Sequence, residues 1–262
     1  MNQHSLDTLC AALCYAAGIG APAQAADANP ALCAYLDASQ AAGKCDRIFM
    51  YNPDAVAHWI SDKYPDFIAE VKMLAPLALP LRTVMPSVTP VCFGTMYTGA
   101  QPEVHGIRAY EKPVIRIDTL FDAMLRAGKK CAIVCTDGDS MSRIYNERGM
   151  DYYYYPTLDE VNACAARLIL EDRHDLICVY NGNYDSTMHR WGPEHPLSLG
   201  ALRANSHTFA MFEAMIRAHW QNHTTLLGFA MDHGCHEIDG GCGSHGLDMD
   251  TDLDILHFYR VL

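Results

Sequence analysis

Three short apolar runs, each followed by an acidic side chain, constrain this chain more than any other feature. Arg47-Ile48-Phe49-Met50-Tyr51-Asn52 leads to Asp54, Leu176 to Tyr180 leads through Asn181-Gly182-Asn183-Tyr184 to Asp185, and Thr225 to Met231 leads directly to Asp232. Short apolar runs bounded by polar residues read as strands buried on both faces. Lys130 to Cys135 supplies another such strand, and Tyr152 to Tyr155 a half-buried one rather than a base-stacking platform. Between them lie segments of helical period: Val56 to Met73, Thr119 to Ala127 stopped by Gly128, Thr157 to about Asp172 opened by a capping box with Glu160, and Leu199 to Trp220. Ala75 to Arg82, with Pro76 and Pro80, reads as a connection. The alternation predicts an α/β fold with a mostly parallel central sheet and helices on both faces, and such sheets bind ligands beyond the carboxyl ends of their strands. The three acids then fall along one edge.

At 262 residues, half of them hydrophobic, the chain can bury a full core and reads as one domain over 1–262, with 1–45 as a helical N-terminal extension. A formal charge of −12 argues against binding a nucleic acid duplex, which needs clustered Lys and Arg. A phosphate ester would have to be held by metal ions or backbone dipoles. Eleven cysteines, an odd number without framework spacing, read as reduced thiols and a cytoplasmic location. Leu9 to Ala21 is apolar and Ala23-Gln24-Ala25 resembles a leader cleavage site. However, no Lys or Arg precedes Lys44, Asp7 stands just ahead of the run, and Cys10 and Cys14 share a helical face. The expectation is a packing helix that the mature chain retains. No stretch reaches the roughly 18 to 20 apolar residues a membrane span requires, and the sequence sets no oligomeric state.

Met85 to Ile107 reads MPSVTPVCFGTMYTGAQPEVHGI and places Thr89 at the mouth of a helix. Pro86 keeps the preceding chain extended, Pro90 suits the start of a helix, and Val91 to Tyr97 continue it. Thr89 is then the expected N-cap, where unpaired N–H groups and the helix dipole favour an anion, although an ordinary Thr-Pro helix start has the same pattern. PSVTP, then TG nine residues after the threonine, then PEVHGI resembles the nucleophile segment of the alkaline phosphatase superfamily, nearest to its nucleotide pyrophosphatase/phosphodiesterase branch. The resemblance implies an alkaline-phosphatase-like core without a large inserted lobe, and a Thr89 that attacks phosphorus while bound to one of two zinc ions.

Two further segments bear on the metals. Asp185 and His189 are four residues apart and are followed by Arg190-Trp191-Gly192-Pro193, and Asp232-His233-Gly234 closes the third apolar run. Both are similar to ligand motifs of that superfamily, and His245-Gly246 matches its distal histidine. The implied sets are Asp54, Thr89, Asp232 and His233 for one ion and Asp185, His189 and His245 for the other. Imidazole and carboxylate are ordinary zinc ligands, and an ion touching Thr89 would lower its hydroxyl pKa. His236 and Glu237 are alternatives to His245, with His245 preferred; Cys235, Cys242, His105 and His257 read as bystanders. Tyr110 stands where the diesterases carry an asparagine that donates to a phosphoryl oxygen, leaving that task to Tyr110, backbone amides, the ions or Asn183. The resemblance, covering roughly Arg47 to Gly246, implies a small-molecule phosphate ester substrate, monoester or diester, and a covalent phosphothreonine. The alternatives are a phosphomutase or sulfatase-like member of the superfamily, although a threonine cannot be oxidised to the sulfatase aldehyde, or a metal-binding protein without turnover.

Overall fold

The computed structural model describes residue 2 and residues 4–262. A short strand β1 (His4–Ser5) precedes α1 (Thr8–Ala17) and α2 (Pro30–Ala38), and then comes the first apolar run as β2 (Arg47–Pro53). Where the sequence predicts one helix from Val56 to Met73, there are two, α3 (His58–Lys63) and α4 (Ala69–Leu74), separated by a 3-10 turn over Pro65–Ile68. Pro65, with no N–H to give and a ring that disfavours helical backbone at Tyr64, makes the break.

The expected connection Ala75 to Arg82 is instead a strand, β3 (Leu77–Arg82), with Leu79 and Leu81 buried and Ala78 and Pro80 exposed. That alternation is the strand signal, and Pro80 is tolerated because β1 pairs only with Leu81 and Arg82 on that side. Then follow α5 (Thr89–Thr98), α6 (Pro102–His105), α7 (Leu120–Arg126), β4 (Cys131–Thr136), α8 (Ser140–Ile144), β5 (Asp151–Tyr155) and α9 (Leu158–Glu171). Thr119 caps α7 in a reciprocal box with Asp122, while Thr157 caps α9 by accepting from the Glu160 amide. The chain closes with β6 (Leu176–Asn181), α10 (Asn183–Trp191), α11 (Pro196–His219), β7 (Thr225–Phe229), a hairpin of β8 (His236–Ile238) and β9 (Cys242–Ser244), α12 (Asp250–Leu253) and β10 (Asp254–Val261).

Eight strands form one sheet in the order β1-β3-β10-β7-β2-β6-β4-β5. All its pairings are parallel except those of β10 with β3 and β7. The three acid-tipped runs are therefore neighbours, β7, β2 and β6, with carboxyl ends on the same edge. Alternate residues of β2 serve opposite faces. Phe49 and Tyr51 pack on Phe212 and Phe209 of α11, at ring-centroid distances of 5.2 and 6.4 Å, whereas Asn52 accepts from the Tyr97 hydroxyl of α5 at 2.8 Å. Helix α1 packs against α2, α5 and α7, with Cys10, Leu13 and Cys14 buried. It ends at Ala17 rather than Ala21, where Gly18 takes the left-handed backbone that closes a helix.

Candidate metal centre

Thr89 is the first residue of α5 rather than its cap. The Val88 carbonyl opens the helix by accepting from the amides of Val91 and Cys92, and no side chain caps it. The Thr89 hydroxyl turns away instead, to 3.4 Å from Asp54 Oδ2 and 3.4 Å from His233 Nε2. All ten residues of α5 are buried, so the helix fixes that hydroxyl at the sheet edge.

Asp54, Asp232 and His233 bring a ligand atom each within 4.8 Å of one another, and so do Asp185, His189 and His245. Among the described residues these are the two groups with that geometry, and His236 is in neither. Asp54 follows β2, and Ala55 beyond it takes φ 62°, an unusual conformation for alanine that points its amide at Asp232 Oδ1 at 3.2 Å. The His233 amide donates to the same oxygen at 3.0 Å. Asp185 and His189 share a face of α10, and His245 comes in from the loop after β9. Rings His233 and His245 stack with centroids 4.0 Å apart, so the groups adjoin.

The donor sets fit divalent ions. Asp54 Oδ1, Asp185 Oδ1 and Asp232 Oδ2 are buried without a hydrogen-bond partner, a state that costs free energy unless something cationic satisfies it. All three imidazoles turn Nδ1 to a backbone carbonyl: His233 to Gly234 at 2.9 Å, His189 to Gly243 at 3.0 Å and His245 to Ser87 at 2.9 Å. A carbonyl requires a donor, so each Nδ1 carries the proton and each Nε2 is left to ligate. His233 Nε2 lies 3.3 Å from Asp54 Oδ1 and 3.4 Å from Asp232 Oδ2; Asp185 Oδ1 lies 3.2 Å from His189 Nε2 and 3.4 Å from His245 Nε2. Ligands about 2.0–2.1 Å from a tetrahedral ion stand roughly 3.3 Å apart.

Without an ion the two groups hold protons differently. Burial, then repulsion from Asp185, pushes Asp54 up to about 7, and burial with Asp54 beside it raises Asp232 well above the usual carboxylate range. Burial, reinforced by His245, keeps His233 neutral. In the second group burial opposes ionisation of Asp185, but the imidazoles of His189 and His245, when protonated, outweigh it and hold the carboxyl low. Asp185 in turn raises His189 to about 9, and raises His245 against the effect of burial. His189 and His245 face each other Nε2 to Nε2 at 3.1 Å, so at most one proton fits between them.

A cleft of about 410 Å³ opens beside Asp54, Asp185, His189 and His245, bordered also by Thr89, Tyr110, Lys112, Asp139 and Tyr180. Tyr180, Lys112 and Asp139 are residues that sequence reasoning missed. The Tyr180 hydroxyl donates to Asp54 Oδ2, a role hidden because the residue reads as one more apolar position of β6. The Lys112 ammonium donates to the Gly138 carbonyl at 2.8 Å and sits 5.3 Å from the Tyr110 ring centroid. Tyr110 is 64% exposed and forms a wall of the cleft. Asn183 does not reach it: its amide donates to Ala201 O at 3.4 Å. Cys235 is buried beside Tyr184, and Cys242 donates to Arg190 O at 3.7 Å.

The sheet order and the edge that carries the site define an alkaline-phosphatase-like fold, as the sequence resemblance implies. Murine ectonucleotide pyrophosphatase/phosphodiesterase 5 shares it, in an inactive threonine-to-alanine form in complex with AMP, at a TM-score of 0.61 and 16% identity over 74% of this chain and 58% of that chain. A second structure of that murine protein gives a TM-score of 0.60 at 17% identity over the same shares. The chain thus spans under two thirds of the neighbour's length. No protein-family profile and no curated protein matches the sequence.

Proposed function

We propose that the chain is a hydrolase of small-molecule phosphate esters within the alkaline phosphatase superfamily, with Thr89 as nucleophile and two divalent ions, zinc by the chemistry of the ligands. The observation that carries this reading is the Thr89 hydroxyl, 3.4 Å from both Asp54 and His233 on the floor of a cleft whose side is formed by Asp185, His189 and His245. The inactivity of the threonine-to-alanine neighbour and its complex with AMP support a working threonine and a phosphate ester here. The eleven free cysteines support a reducing, cytoplasmic setting, and the shared sheet and core support one domain over 1–262.

Bound ions would neutralise the carboxylates, lower the pKa of the Thr89 hydroxyl and polarise the phosphoryl group. Asp54, Asp232 and His233 would hold one ion, and Asp185, His189 and His245 the other. Thr89 Oγ1 forms a bond to phosphorus as the ester P–O bond breaks, and the leaving alcohol takes up a proton. Water then cleaves the phosphothreonine and restores the hydroxyl, so that one water is consumed for each ester. The dipole of α5, positive at its first turn, favours the anionic group transferred there.

Thr89→Ser is expected to keep measurable turnover of nitrophenyl phosphate monoester or diester, because its hydroxyl occupies nearly the same place. Thr89→Ala is expected to lose on the order of a thousandfold with the melting temperature little changed, since no cap is lost. A Thr89→Ala protein that is folded, binds metal and turns over as fast as wild type would assign the attack to a water and refute the role of Thr89.

A further inference from the structure

His236 is the histidine that the metal groups leave over, and its partner explains it. His236 Nδ1 lies 2.7 Å from Oδ1 of Asp252, a fully buried carboxylate. The other oxygen of Asp252 accepts from the Leu247 amide at 2.9 Å, two residues beyond His245. Its backbone carbonyl accepts from the Gly234 amide at 2.8 Å, one residue beyond His233. Gly234 O is in turn the acceptor for His233 Nδ1. One residue of α12 therefore grips both ligand-bearing loops.

We propose that Asp252, assisted by His236, is a positioning residue for the metal centre: its side chain holds the His245 loop and its carbonyl holds the His233 loop. The inference rests on the two-ion reading of the site. Asp185 and His189 are held by a helix, but His245 sits in a loop whose next residues, Leu247 and Met249, are 55% and 38% exposed. Such a loop has few apolar anchors, so its aim depends on hydrogen bonds. A buried carboxylate is costly to keep unless it is fully bonded, and both Asp252 oxygens are. The approach is also close: a Cβ on Gly234 would stand 2.1 Å from the Thr251 carbonyl, so only glycine lets the loop reach α12.

Zinc affinity of both sites, read by chelator competition beside melting temperature, tests the proposal. Asp252→Ala is expected to weaken one ion by about ten- to a hundredfold and leave the other within a few-fold, because the backbone carbonyl survives the substitution. Asp252→Asn, which keeps an acceptor for the Leu247 amide, is expected to recover part of the loss. His236→Ala is expected to weaken binding less than His245→Ala. If Asp252→Ala binds both ions as tightly as wild type, even at a lower melting temperature, the residue is merely structural and the proposal fails. Amide exchange in the metal-free wild type decides the matter if that variant does not fold. Slow exchange at Leu247 and Gly234 supports the proposal; exchange at the rate of an open loop overturns it. A wild type that binds no divalent ion sinks the hydrolase reading, and the exchange measurement then judges the loop contacts on their own.

Discussion

Asp54 shows how finely one side chain is committed. Its Oδ2 receives the Tyr180 and Thr89 hydroxyls while its Oδ1 is left without a donor beside His233. The tyrosine fixes the carboxylate's rotation, so that the free oxygen faces the imidazole. Tyr180→Phe removes that donor at nearly constant volume. It is expected to weaken the ion held by Asp54, Asp232 and His233 by about ten- to a hundredfold, with a fold unchanged by circular dichroism; unaltered affinity would show that Tyr180 is a packing residue only.

Helix α5 meets α6 through a tight contact. Gly94 lies under the His105 ring, where an added Cβ would come within 2.8 Å of Cε1. His105 Nδ1 accepts from the Ile107 amide at 3.2 Å and Nε2 donates to Thr95 Oγ1 at 3.1 Å, so the neutral ring is fully used. Gly94→Ala is expected to destabilise the protein by about 1–3 kcal/mol, measured by denaturant unfolding. Burial also lowers His105 to about 4. The unfolded chain then takes up the proton first, near 6.5. The stability His105 contributes is full above that pH and is lost as pH falls toward 4. The advantage of wild type over His105→Gln should therefore shrink between pH 6.5 and 4; an advantage that is constant with pH would refute the assignment.

At the scale of the molecule, a chain of charge −12 gathers three acids at one edge of its sheet, Asp54 and Asp232 buried and Asp185 partly so. Added zinc is expected to raise the melting temperature, since an ion bound only by the folded state at a hundred times its Kd adds about 2.7 kcal/mol. That gain should grow with pH. In the metal-free fold Asp54 gives up its proton only near 7, Asp232 higher than an ordinary carboxyl, and His189 near 9. Protons compete with the ions until those groups are free. Thermal shifts with and without zinc from pH 5 to 9 check this, and a shift that is flat or falls with pH would count against both ligand sets. Among the described residues, no helix is long and apolar enough to cross a membrane.

Much of this was legible in order along the chain. Apolar runs name the strands because a strand buried on both faces can carry little else, and their acids, Asp54, Asp185 and Asp232, follow at once. The spacings of Asp185 with His189 and Asp232 with His233 are local, so sequence alone pairs them. The choice between His245 and His236 is not local. It depends on which loop passes α10 and which passes Asp252: His245 meets His189, 56 positions away, and His236 meets Asp252, 16 positions away. Likewise Tyr180, Lys112 and the strand character of Leu77–Arg82 depend on partners distant in the sequence. Sequence determined which residues can ligate, cap and pack. Tertiary structure decided which of them meet, because side-chain direction is set by neighbours that only the closed sheet brings together.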